Sequence, residues 1–129
     1  MSNTRNFESR DFKSLRVWEL SQEITTKVYQ ITKNYPVEER YAITSQMRRS
    51  ASSIGANTAE GNSMTFFPKK ELSFYANAKG SSDELRSWLD LSLRLGYINK
   101  VTYEELEEAT QEVIRLLIAL MRRVRSEIA

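Results

Sequence analysis

Residues 52–63 read Ser-Ser-Ile-Gly-Ala-Asn-Thr-Ala-Glu-Gly-Asn-Ser. One sizeable aliphatic side chain, Ile54, stands among glycines and small polar residues, between two stretches with helical patterning. Such a run is either a glycine-rich loop that grips a phosphate or the thin end of a helix against which neighbours press. Spacing rejects the loop. A Walker loop needs G-x-x-x-x-G-K-[ST] after a strand, whereas Gly61 is followed here by Asn62 and Ser63 with no lysine; G-x-G-x-x-G is also absent. Packing accounts for the composition. Ser50, Ala51, Ser52, Ser53, Gly55, Ala56 and Ala59 allow close approach to a neighbour. Ala76, Ala78, Gly80, Ser81 and Ser82 form a second small patch able to meet the first. Glycine inside a helix costs roughly 1 kcal/mol against alanine, so contact is expected to offset Gly55 and Gly80. Asn57 and Glu60 are expected to satisfy loop amides or bond across helices rather than hold a ligand.

Four helices follow from working outward. Ser14 is the expected N-cap of the first, whose inner face is Val17, Leu20, Ile24, Val28, Ile31 and Tyr35 before Pro36 ends it. The second is expected to start near Val37 or Glu38, to face inward with Ile43, Met47, Ser50, Ile54 and Thr58, and to stop at Gly61. Pro68 suits the first turn of the third. That helix reaches Leu95 with a seam of Phe74, Ala78, Ser81, Leu85, Trp88, Ser92 and Leu95, closed by Gly96. Thr102 and Glu105 form a capping box for the fourth, whose seam is Leu106, Thr110, Val113, Leu117, Leu120 and Val124. Such helices with short links pack most simply as an antiparallel up-down-up-down four-helix bundle, an all-α fold. The expected division is a flexible arm over 1–12, with Phe7 and Phe12 tucking back, and one bundle domain over 13–129.

Composition narrows the chemistry. The 129 residues suffice for one core, and with 40% hydrophobic and 28% charged residues the chain is an ordinary globular one. It has no cysteine and no histidine, which removes disulfides, thiolate sites, Ser-His-Asp catalysis and most zinc sites. No metal site, cofactor or catalytic residue is expected. The N-terminus lacks the apolar run of a secretory signal, and no stretch reaches the roughly 20 apolar residues of a membrane span. A reducing cytoplasm fits.

The residues Ser53-Ile54-Gly55-Ala56-Asn57-Thr58-Ala59-Glu60-Gly61 resemble the S-I-P-A-N-I-A-E-G signature of the bacterial 23S rRNA intervening-sequence protein family. Leu15-x-Val17-Trp18, Thr44 to Ala51, Gly80-Ser81-x-x-Glu84-Leu85 and Leu95-Gly96-Tyr97-Ile98 extend the likeness over Phe12 to Arg123. Gly55 stands where the family often has proline and Thr58 where it has isoleucine, which suggests a looser or more polar helix end. The resemblance implies a bundle of four antiparallel helices assembled as a homopentameric ring, with no established enzymatic activity. An accessory protein of diversity-generating retroelements is similar in fold and binds nucleic acid and a reverse transcriptase. The resemblance gives Ser53, Ile54, Ala56, Asn57, Ala59, Glu60, Gly61, Gly80, Ser81, Glu84 and Leu85 a structural part.

The chain itself argues for self-association. Residues 113–121 read VIRLLIALM, apolar at eight of nine positions, more than one bundle-facing stripe needs. Ile114, Ile118 and Met121 form a second stripe, and burying each is worth about 1.5–3 kcal/mol. The acidic run from Glu104 to Glu112 reads as a solvated helix start. A net charge of +2 is too small to imply nucleic acid by itself, but basic residues cluster. Arg48 and Arg49 sit mid-helix; Lys69 and Lys70 open the third helix against its dipole; Arg122, Arg123 and Arg125 crowd the end of the fourth. Arg5, Arg10, Lys13 and Arg16 line the N-terminal region, interrupted by Glu8 and Asp11. Repetition around a ring multiplies such charges, and phosphate binding depends on how many act together. No single-strand platform of interleaved aromatics is visible; Trp18 and Trp88 read as packed surface. The expected function is a non-enzymatic RNA-associated oligomer; the alternative is a protein-interaction scaffold or accessory subunit.

Overall fold

The three- and four-residue spacing of Val17, Leu20, Ile24 and Val28 closes into helix α1 (Arg16–Thr32) in the computed structural model, which describes residues 10–128. Three more helices follow, α2 (Ile43–Ser63), α3 (Pro68–Arg94) and α4 (Lys100–Ile128), with no strand among the described residues. The fold is all-α, with four helices round one core.

Several boundaries differ from expectation for local reasons. Ser14 does not cap α1. It ends a short 3-10 turn, Phe12–Ser14, where its hydroxyl donates to the Asp11 carbonyl at 2.7 Å and the Asp11 carboxylate accepts from the Lys13 amide at 3.0 Å. Leu15 then leads into α1 without a side-chain cap, and the Phe12 ring stands edge-on to Trp18 with centroids 5.1 Å apart. After Pro36, Val37–Glu39 form another 3-10 turn, so α2 starts only at Ile43. Glu39 accepts a 2.7 Å hydrogen bond from the Tyr97 hydroxyl, tying this turn to the α3–α4 link. At α4, Asn99 does the capping: its Oδ1 accepts from the Thr102 amide at 2.8 Å. Thr102 and Glu105 therefore lie inside the helix. Pro68 does open α3, and Gly96, at φ +76°, does close it; glycine suits that left-handed conformation.

Gly61 is not a stop. It lies inside α2, and the room left by its missing side chain holds the Tyr75 ring; a Cβ there would stand 2.5 Å from Tyr75 Cε1. Gly55 likewise admits a neighbour, but that neighbour is α1: a Cβ would meet Gln22 Oε1 at 2.8 Å and Ser21 Oγ at 3.0 Å. Gly80 meets nothing within 4 Å and is exposed, contrary to the expected contact. The small patches of α2 and α3 do touch at Ser53 and Ser81, whose hydroxyls lie 2.9 Å apart.

The inner faces of α1, α2 and α4 follow the sequence pattern closely, with Ile31 and Leu120 only half-buried. The α3 seam is turned by one residue: Glu71, Tyr75, Ala78, Ser82, Leu85, Leu89 and Ser92 are buried, while Phe74, Ser81 and Trp88 are half-buried and Leu95 is exposed. Phe74–Tyr75 and Trp88–Leu89 offer apolar side chains in adjacent registers, about 100° apart on a helix, so periodicity cannot choose between them. The observed register buries Leu89 wholly and lets the Trp88 indole donate to Glu84 at 3.2 Å. Hydroxyls inside the core return to their own helices: Thr32 to the Val28 carbonyl, Thr58 to Ile54, Ser82 to Ala78 and Thr110 to Leu106, all within 2.9 Å. These bonds remove the cost of burying a polar group. Thr58, in place of the family's isoleucine, is thus fully buried and satisfied.

Candidate nucleic-acid interface

At one end of the molecule Arg10 meets Asn62 of α2, Leu15 to Val17 meet Leu116 to Arg123 of α4, and Pro68 to Lys70 of α3 stand beside Glu127 and Ile128. Arg10 and Asn62 hold each other there: Arg10 Nε donates to Asn62 Oδ1 at 2.8 Å, and Asn62 Nδ2 donates to the Arg10 carbonyl at 2.6 Å. Below them the Tyr75 hydroxyl donates to Glu71 Oε2 at 2.9 Å, with both residues 0% exposed. Burial, then the neighbouring Glu71 carboxylate, push the Tyr75 phenol well above its usual range, and the positive charges of Arg10 and Arg123 pull the other way. A cleft of about 350 Å³ brings Leu15, Arg16 and Val17 against Leu116, Ala119, Leu120 and Arg123. A broader depression of about 540 Å³ is lined by Phe66, Phe67, Pro68, Lys69 and Lys70 from the α3 side and by Glu127 and Ile128 from α4.

Lys69, Lys70, Arg122, Arg123 and Arg125 are all exposed at this end. None of them forms an ion pair among the described residues. The contrast with the middle of α3 and the first half of α4 is one of pairing. There Arg86 binds Glu107 at 2.9 Å and Asp83 at 3.3 Å, Lys79 binds Asp83, Arg94 binds Asp90, and Arg115 bridges Glu108 and Glu112. Charge on that side is largely neutralised in place. At the end of α4 the helix dipole favours cations; Lys69 and Lys70, at the start of α3, sit against it.

Arg48 and Arg49 do not join this cluster. Arg48 is half-buried and stitches α2 to α1: its Nε donates to Thr32 Oγ1 at 2.9 Å, and its guanidinium lies 4.6 Å from the Tyr29 ring centroid. Arg49 is exposed farther along α2. Arg5, Phe7 and Glu8 lie outside the described residues.

The signature residues are placed as follows. Ile54 and Leu85 are core; Ser53 bonds Ser81, and Asn57 Nδ2 donates to both the Ser53 carbonyl and hydroxyl at 2.9 Å. Ala56, Glu60, Gly80 and Glu84 are exposed, and Ala59 is half-buried. The Asn57 amide thus bonds within its own helix while Ser53 reaches across. Ile114, Ile118 and Met121 are half-buried in a single chain, and Met121 packs on the core. Among the described residues no three acidic, histidine or cysteine side chains gather as a metal site, and no helix is long and apolar enough to cross a membrane.

Sequence reasoning missed Asn62, Glu71 and Tyr75. A signal existed: Glu71, Tyr75, Ala78, Ser82, Leu85 and Leu89 form an unbroken helical stripe beside the expected seam. Four helices round one core, with a polar knot and exposed cations at one end, define an all-α four-helix protein. The chain belongs to the 23S rRNA-intervening sequence protein family, which it matches over residues 13–119. It is similar, at 27% identity and a TM-score of 0.73, to the crystal structure of a protein of unknown function from the S23 ribosomal protein family of Bacteroides thetaiotaomicron. That likeness covers 81% of this chain and 97% of the other. No curated protein matches the chain.

Proposed function

We propose that the protein is a non-enzymatic, cytoplasmic homo-oligomer that associates with RNA through the basic end of its bundle. The observation that carries this reading is the grouping of Lys69, Lys70, Arg122, Arg123 and Arg125, exposed and without ion pairs among the described residues, whereas Lys79, Arg86, Arg94 and Arg115 elsewhere on α3 and α4 each hold a carboxylate. The family's name, and that of its S23 relative, associate such proteins with ribosomal RNA and the ribosome.

The bundle is read as antiparallel, up-down-up-down. Gly61 against Tyr75, Ser53 against Ser81 and Met47 against Ser92 support this for α2 and α3, since later residues of one meet earlier residues of the other. The domain is taken as 13–129 after an arm of 1–12, whose last residues are anchored through Arg10 and Phe12. A ring of five rests on the family resemblance. The half-exposed Ile114, Ile118 and Met121 favour self-association, and a ring presents each basic end several times, which strengthens phosphate binding.

Fluorescence anisotropy with a labelled RNA, titrated at several salt concentrations, tests the reading. Affinity is expected to fall steeply with salt. Replacing Arg122, Arg123 and Arg125 with glutamate is expected to weaken binding and flatten the salt slope, by about 0.7 per lost phosphate contact on a single strand. Absence of binding at low salt, or unchanged binding by a folded triple variant, overturns it. A protein partner that survives nuclease in that case supports the scaffold instead.

A further inference from the structure

The fourth helix is apolar on more sides than its own bundle uses. Val113, Leu117 and Val124 are wholly buried, whereas Ile114, Ile118 and Met121 are only half-buried. These three lie on the flank that faces α3, because Glu107, about two turns before Ile114 on the same side, is held by Arg86 of α3 at 2.9 Å. A second apolar surface borders the opposite flank. There the start of α1 and α4 enclose the cleft of about 350 Å³, with Leu15 and buried Val17 from α1 facing Leu116, Ala119 and Leu120 from α4. At about 100° per residue, Ile114, Ile118 and Met121 point roughly 180° away from Leu116, Ala119 and Leu120. One flank of α4 is thus an aliphatic ridge, and the other is one wall of an aliphatic hollow.

We infer that the Ile114, Ile118 and Met121 ridge of one copy docks in the α1–α4 cleft of the next, a head-to-tail contact between two different surfaces of the same chain. An apolar patch that matches a hollow elsewhere on the same molecule makes a heterologous contact. Such a contact closes into a ring or continues as a filament, according to the rotation between successive copies. Because ridge and hollow occupy opposite flanks of one helix, a single copy uses both at once, and assembly does not stop at two. Pairing ridge with ridge would leave both hollows unfilled. The hollow also selects its occupant. Its walls carry no aromatic ring on which an RNA base could stack, and Arg16 and Arg123 line it, so it accepts an aliphatic side chain and repels a cationic one. This inference rests on the homo-oligomer reading above and adds which surfaces meet and in what sense. It places Arg16 and Arg123 at the joint between copies, beside the basic end.

Sedimentation velocity on the full chain tests this with two variants, each damaging one surface. Ile118→Lys puts a charge on the ridge, and Ala119→Arg, at an exposed position, fills the hollow. Each variant alone is expected to raise the concentration needed for half-assembly by roughly 100-fold or more, with circular dichroism showing that it is folded. Mixed in equal amounts, the two are expected to form a dimer and nothing larger. The Ala119→Arg chain keeps its ridge and the Ile118→Lys chain keeps its hollow, so one joint forms and no second can. Met121→Lys takes the place of Ile118→Lys in the mixture should the latter not fold. An assembled wild type with no dimer in the mixture overturns the inference. So does wild-type assembly by either folded variant, since a ridge that pairs with itself ignores Ala119→Arg. Both results leave the homo-oligomer reading standing. A wild type that stays monomeric throughout the concentration series removes the inference and that reading together.

Discussion

Gly61→Ala and Gly80→Ala make the same chemical change inside two helices, yet the structure demands opposite outcomes. At Gly80 nothing lies within 4 Å of where the methyl would go, and the residue is exposed. Alanine there should express its helix advantage, about 0.5–1 kcal/mol of added stability. At Gly61 the new Cβ would stand 2.5 and 2.7 Å from two Tyr75 ring carbons and 3.2 Å from Phe74 Cβ. The Tyr75 ring is 0% exposed and its hydroxyl is bonded to buried Glu71, so it has no easy place to swing. Overpacking of this kind costs about 1–3 kcal/mol. Taking the upper end and subtracting about 1 kcal/mol of helix propensity leaves a net loss of about 2 kcal/mol. The two variants should therefore differ by about 3 kcal/mol, more than a hundredfold in the folding constant. Urea denaturation followed by circular dichroism measures this, at one fixed protein concentration because association contributes to stability. A Gly61→Ala variant as stable as wild type refutes the close approach of α2 to Tyr75. A Gly80→Ala variant that is destabilised, increasingly so on dilution, refutes the open face and shows that a second copy covers it.

Tyr75 carries a pH prediction. Its folded pKa is raised above the ordinary 10.0, so the native state keeps a phenol proton that the unfolded chain releases. The stability this provides is complete below about pH 10 and is lost as pH rises from there towards the folded pKa, at no more than about 1.4 kcal/mol per pH unit. Tyr75→Phe should flatten that alkaline loss. At neutral pH it should cost about 1.5–3 kcal/mol, because buried Glu71 loses a donor. Superimposable alkaline profiles for the two proteins refute it. Asn62→Ala should release Arg10 and speed tryptic cleavage after Arg10 several-fold at the chain's start; an unchanged cleavage rate means that the pair does not anchor the arm.

Much of the fold was legible because an amphipathic helix declares itself locally. Val17 to Val28 and Ile43 to Thr58 repeat at the helical period with few apolar residues out of phase, and Leu106 to Val124 keeps that period beside its second apolar stripe, so these inward faces were legible. The third helix had two. Phe74 and Trp88 compete with Tyr75 and Leu89, and the decision needed the Gly61 surface of α2, which no reading of α3 alone contains. Caps were misjudged at Ser14 and Thr102 for a related reason: Asp11 and Asn99 are equally good acceptors close by, and the competition is decided by how the links fold. Among the basic residues, Arg48 and Arg123 look alike in the sequence. Only three-dimensional neighbours make one a stitch to Thr32 and Tyr29 and leave the other exposed at the cleft it shares with Leu15 and Arg16.

The amino-acid sequence by itself determined that the chain is helical, that its elements are four, and which family's signature it bears, since periodicity, proline and glycine act over a few residues of one segment. Tertiary structure alone decided which side of α3 faces inward, that Gly61 is a seat for an aromatic ring rather than a stop, and that cations far apart in the chain share one end with Phe66 and Phe67. These depend on distances between helices, and such distances are set by how side chains of different segments fill common space.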